Sequence, residues 1–211
     1  MPKQLIIAVM GRWTLWLRAI SLSLLLNNGV HHLYINVEQV RAFRTCSFFI
    51  SCEPPLILGG LKLNRSVLKF GGSSVSDFTK IKNIAEMLKT RVEQGEELIV
   101  VVSAMGKTTD QLMENVSTLT STPKDQELAL LLTTGEQQTV SYLSMVLNDI
   151  GVKAKAMTGY QAGIKTIGHH LKSKIAEINP DTFNQAFENN DVLVVAGFQG
   201  INDEFELTTL G

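Results

Sequence analysis

Three short segments of this sequence combine residue types that can do chemistry on anions. In Lys69-Phe70-Gly71-Gly72-Ser73-Ser74 a lysine stands two residues ahead of paired glycines. Glycines let backbone N–H groups approach a ligand and form a nest for phosphate oxygens, and the lysine adds a full positive charge. The segment Ser103-Ala104-Met105-Gly106-Lys107-Thr108-Thr109-Asp110 gathers hydroxyls and a glycine where a strand hands over to a helix, whose amino terminus favours anions. Thr133-Thr134-Gly135-Glu136 interrupts a helical pattern and sets one carboxylate among small residues. Each segment also has an ordinary reading: a tight turn, a helix cap, a solvated carboxylate at a helix start. Taken alone, the residues lead to a phosphate site in an α/β domain and no further. Neither Gly-x-x-x-x-Gly-Lys-Ser/Thr nor Gly-x-Gly-x-x-Gly occurs.

The elements that must position these segments are legible from Ser66 onward. Val67–Phe70 reads as a buried strand running into Gly71-Gly72. After Ser76, the expected N-cap, Phe78, Ile81, Ile84, Ala85, Leu88 and Val92 recur at helical spacing, and Gly95 ends the run. Leu98-Ile99-Val100-Val101-Val102 is an unbroken apolar, β-branched run, as in strands covered on both faces of a parallel sheet. Helical patterns follow over 110–119 and 126–150, then a strand near 154–157, a helix near 170–188 and an apolar strand at 192–196. Strands alternating with helices predict a three-layer α/β fold with ligands at the carboxyl ends of the strands.

Charge and composition narrow the function. The chain has 211 residues, of which 45% are apolar, enough for a substantial core. Its net charge of −1 is the sum of a leader (1–66) at +5 and a remainder at −6. A net-acidic body argues against nucleic acid, which needs a clustered basic face. Cys46 and Cys52 form neither a zinc pattern nor a disulfide framework, so a reducing, cytoplasmic setting is expected. Residues 5–26 are apolar, but Arg12 and Arg18 interrupt them and Asn27-Asn28-Gly29 is no cleavage site, so neither a membrane anchor nor a signal peptide is expected. Residues 1–65 lack sustained periodicity and are expected to form no folded domain. No methionine lies between Met10 and Met87, and the expectation is an upstream extension of a chain whose own start lies near 61–67.

Val67-Leu68-Lys69-Phe70-Gly71-Gly72-Ser73-Ser74-Val75 resembles the aspartokinase signature at every position. The resemblance continues through Ser103–Asp110, Thr133–Glu136, Thr158-Gly159-Tyr160-Gln161-Ala162-Gly163 and Val195-Ala196-Gly197-Phe198-Gln199-Gly200, in order, up to Gly211. It implies the amino-acid kinase (carbamate kinase-like) fold, a mainly parallel sheet between helical layers, with residues 66–211 as its amino-terminal, aspartate-binding part. It also implies phosphorylation of the β-carboxylate of L-aspartate by ATP, with Mg2+ carried by the nucleotide and no protein metal ligand, in a homo-oligomer. By the same resemblance Lys69 and Gly72 are catalytic, and Lys69, Phe70, Gly71 and Gly72 hold the nucleotide phosphate. Ser73, Ser103, Thr108 and Thr109 contact aspartate, and Glu136 pairs with its α-ammonium group.

Two departures stand beside the resemblance. Aspartokinases start close to the Lys69 strand, and they continue beyond the point matching Gly211 with an Arg-Gly-Gly-Ser-Asp segment, an adenine pocket and regulatory domains. The 211 residues by themselves are therefore expected to lack turnover. Alternatives are a catalytically incomplete fragment that only binds, an acetylglutamate, glutamate-5, carbamate or uridylate kinase of the same fold, and a nucleotide-binding oxidoreductase, which the absent dinucleotide fingerprint disfavours.

Overall fold

The computed structural model describes the backbone of residues 33–34, 47–52 and 64–211, with side chains from residue 64 onward. The strands are β1 (Leu33–Tyr34), β2 (Ser47–Cys52), β3 (Asn64–Phe70), β4 (Glu96–Val102), β5 (Ala154–Met157), β6 (Ile164–Ile167), β7 (Lys174–Ile178), β8 (Val192–Ala196), β9 (Gln199–Ile201) and β10 (Leu207–Thr209). The helices are α1 (Phe78–Glu93), α2 (Thr108–Leu119), α3 (Asp125–Asp149) and α4 (Pro180–Phe187). One sheet has the order β1-β2-β3-β4-β8-β5 and a second the order β10-β9-β6-β7. In the first, β3, β4, β8 and β5 are mutually parallel, whereas β2 joins β3 antiparallel.

The unbroken apolar runs of β4 and β8 are explained by their position. Leu98–Val102 and Val192–Ala196 are buried along their length, because alternate side chains enter two different cores. Leu98, Val100, Val102, Val192, Val194 and Ala196 meet Ile81, Leu88, Leu143 and Leu147 of α1 and α3. Ile99, Val101, Leu193 and Val195 meet Ile164, Ile178, Phe183 and Phe187 of β6, β7 and α4. The result is the expected three-layer α/β arrangement, with the second sheet sharing the α4 layer.

Three expectations are corrected. Asp77, not Ser76, caps α1: its carboxylate accepts the Lys80 N–H at 2.9 Å. Residues 170–188 are not one helix, because β7 fills 174–178 and Pro180 can only begin the helix, which Asn179 caps. Thr133-Thr134-Gly135-Glu136 does not interrupt α3, which runs unbroken through it. The two threonine hydroxyls donate back to the Leu130 and Leu131 carbonyls (2.8 and 2.7 Å), so the polar run is satisfied within the helix. The apolar strand β8 lies inside the first sheet, flanked by β4 and β5. Within the leader, Phe48-Phe49-Ile50 lies in β2 against β3, and residues 5–26 fall outside the described residues. Among the described residues no helix is long and apolar enough to cross a membrane.

Candidate phosphate and amino acid site

The parallel register sets the site. Phe70, Val102 and Ala196 stand on one rung of the sheet, so the loops after β3, β4 and β8 leave at the same level. The ladder continues one residue further through Ser103 N–H to Phe70 O (3.1 Å) and Gly197 N–H to Val102 O (2.9 Å). The first two loops are then bonded to each other, Gly106 N–H donating to Gly72 O at 3.1 Å. Their approach requires a glycine: a Cβ at Gly72 would stand 2.9 Å from the Ala104 carbonyl oxygen, a backbone atom with little room to yield. A Cβ at Gly71 would stand 3.5 Å from Lys69 Nζ, so the ammonium lies beside the first glycine of the pair. A cation beside a side-chain-free turn is a donor set suited to an anion.

Helix α3 supplies the opposite charge from below these loops. Gly135 lets the helix approach the second loop, since a Cβ there would meet Ala104 Cβ at 2.9 Å and Thr108 Cγ2 at 3.5 Å. That contact brings Glu136, only 3% exposed, under the loop, where Oε1 accepts the Ala104 N–H at 3.0 Å. Its other oxygen, Oε2, is buried with no hydrogen-bond partner among the described residues. Burial pushes the carboxyl up to about 7 from an ordinary 4.5, against the pull of the Ala104 N–H. A dry, half-satisfied carboxylate beside a cationic glycine loop can bind a group that brings both a positive charge and an anion.

The model of the amino acid kinase family matches residues 64–211. The chain belongs to the amino acid kinase family. Over 145 residues this chain is 42% identical to aspartokinase 2 of Bacillus subtilis, a match covering 69% of the chain and 36% of that relative. Among solved structures, the aspartate kinase of Synechocystis is 39% identical with a TM-score of 0.56, over 69% of this chain and 24% of that one. An E. coli aspartokinase III complex with aspartate and ADP shares the fold at a TM-score of 0.56 and 17% identity, over 68% and 42% of the two chains. The chain thus spans about a third of the length of the Bacillus relative.

In this amino acid kinase, Gly72 and Glu136 meet at Ala104 as described, with Lys69 Nζ beside Gly71 on the neighbouring turn. Ser103 and Thr109 are half-buried on the same loop and helix start, and Ser73 is exposed on the glycine turn. Thr108 is turned inward, its hydroxyl donating to Met105 O at 2.7 Å while its methyl faces Gly135. The side chain of Phe70, 2% exposed, is part of the core, so only its backbone faces the loops. Sequence reasoning assigned no role to Gln199 or Gly159. Gln199 is wholly buried and donates to Thr133 O at 3.0 Å, one turn before Glu136. A glutamine between strand signals gives no local warning of burial; only its place in Gly197-Phe198-Gln199-Gly200 singled it out.

Proposed function

We propose that residues 66–211 form the amino-acid-binding and phosphoryl-cradling part of an ATP-dependent kinase that converts L-aspartate to 4-phospho-L-aspartate. The observation that carries this reading is the buried, unpartnered Oε2 of Glu136 beneath the loop that is bonded to the glycine turn after Lys69. An α-ammonium group completes that carboxylate with a charge-assisted bond. The substrate carboxylates are then left to the hydroxyls of Ser103 and Thr109 and to the amino terminus of α2. The β-carboxylate is ionised at neutral pH, so it attacks the γ-phosphorus without a general base, and the bond to the ADP oxygen breaks as the new one forms. Lys69 neutralises charge on the oxygens in transfer, and Gly71 and Gly72 keep that space free of side chains. ATP with its magnesium ion supplies the phosphoryl group; the glycine turn with Lys69 beside it is the part of this chain that fits it. A cytosolic homo-oligomer is the proposed working form.

The first test is calorimetric titration of this chain with L-aspartate and with succinate, which lacks the ammonium group. Aspartate is expected to bind and succinate to bind at least tenfold more weakly, the value of a lost charge-assisted bond being about 1.5–3 kcal/mol. Equal affinities would overturn the assignment of Glu136. Turnover is read by coupling ADP release to aspartate addition, on this chain and on one extended with the residues of the Bacillus relative beyond the match. Only the extended chain is expected to turn over, because in-line alignment of both reactants supplies up to about 7–11 kcal/mol. There Lys69→Ala should lower the rate by about 10²- to 10³-fold. Wild-type turnover in that variant would remove Lys69 from the mechanism.

A further inference from the structure

We infer that Gln199 is a positioning residue that locks α3 in the register from which Glu136 faces the site, an inference resting on the role proposed above for Glu136. Gln199 Nε2 donates to Thr133 O at 3.0 Å and its Oε1 accepts the Gly159 N–H at 3.3 Å. One buried side chain thus joins three elements: β9, the β5–β6 loop and the middle of α3. Thr133 and Glu136 are three residues apart and share a face of the helix, both almost wholly buried. Fixing the Thr133 carbonyl therefore fixes the azimuth of Glu136. Both polar ends of Gln199 are engaged within the protein, so it acts through the helix.

The surroundings hold Gln199 to this task. Phe198, the residue before it, has φ +62, a left-handed conformation unfavourable for an aromatic residue, and it turns the chain from β8 into β9. On either side the backbone is clamped by close approach. A Cβ at Gly159 would stand 2.5 Å from Gln199 O, and one at Gly200 would stand 2.4 Å from Thr166 Cγ2. With β9 immobilised, the glutamine amide is the rigid link from the second sheet to α3. Removing it frees the helix to shift and admits water to Glu136 Oε2.

The readout is the carboxyl 13C resonance of Glu136, followed by NMR through a pH titration of the intact chain, with aspartate affinity measured alongside. Gln199→Met keeps the length and removes both bonds. It is expected to move the Glu136 midpoint down from about 7 by roughly one unit and to weaken aspartate about tenfold, the worth of one or two hydrogen bonds. Ser144→Ala, which alters a buried, unpartnered hydroxyl of the same helix, should leave the midpoint in place. A folded Gln199→Met chain with an unmoved midpoint overturns the inference. Should that variant not fold, the wild-type chain decides: the Gln199 side-chain 15N signal must follow the Glu136 titration, and a signal flat across it overturns the inference. The titrations need no substrate, so a chain that shows this coupling yet ignores aspartate sinks the substrate reading alone.

Discussion

The two sheets of this chain are held by different forces. The central strands β4 and β8 bury apolar side chains on both faces, and their loops are placed by parallel register. The smaller sheet is short, and polar groups are buried within it. Thr166 and Thr208 hydroxyls meet at 2.7 Å, Ser173 Oγ donates to Thr208 Oγ1 at 3.0 Å and to Thr209 O at 2.8 Å, and all three side chains are nearly inaccessible. At its rim His170 meets Glu206 at 2.7 Å and His169 meets Asp125 at 2.8 Å. Apolar burial is tolerant of direction, while a buried hydroxyl network is satisfied only in one geometry. The first sheet therefore supplies stability, and the second supplies precision around Gln199 and the face of α3.

The largest expected effect breaks the first sheet. Leu193→Ala opens a cavity between β8 and α4 and should cost about 2–5 kcal/mol in denaturant unfolding. A loss below 1 kcal/mol would mean that this layer is not the main source of stability.

Next comes the carboxyl on which the first sheet's burial acts. Between 4.5 and about 7 the folded chain keeps a proton on Glu136 that the unfolded chain has released, so this group's contribution to stability falls as pH rises through that window. Wild type should lose about 2–3 kcal/mol relative to Glu136→Gln between pH 5 and pH 8. Parallel pH profiles of the two proteins would show that Glu136 is not desolvated. Aspartate should reverse the trend, binding more tightly as pH rises toward 8, because its ammonium group selects the ionised carboxylate.

Thr208→Val probes the second sheet, leaving Thr166 and Ser173 hydroxyls without their shared partner. About 1–3 kcal/mol is expected, with aspartate affinity falling at the same time if precision comes from this sheet. A stability loss with unchanged affinity would separate the two. The smallest effect belongs to the rim. The His170 ring holds the Glu206 carboxyl below its ordinary value through a hydrogen bond, yet both groups are partly exposed. His170→Ala should leave stability close to that of the wild type, with the small loss shrinking further at high salt. A larger loss, insensitive to salt, would assign the rim a structural weight that its exposure does not predict.

What the sequence alone determined follows from local rules and from continuous apolar runs. Leu98–Val102 read as a strand covered on both faces and Val192–Ala196 as an apolar strand, the apolar period of α1 marked its buried side, and Gly71-Gly72 after a strand marked a candidate anion loop. The resemblance of the Lys69–Val75 string carried the family. Tertiary structure decided the rest, because each remaining feature depends on a distant partner. Thr133–Glu136 looked like a break until Ala104, packed against Gly135, showed why a helix needs a glycine at its middle. The strands β6, β7, β9 and β10 are too short and too polar to stand out by periodicity, and they exist because they pair with one another over the second core. The state of Glu136 was equally invisible: a carboxylate's charge is set by what removes its water, and here that is a loop 32 residues away in sequence.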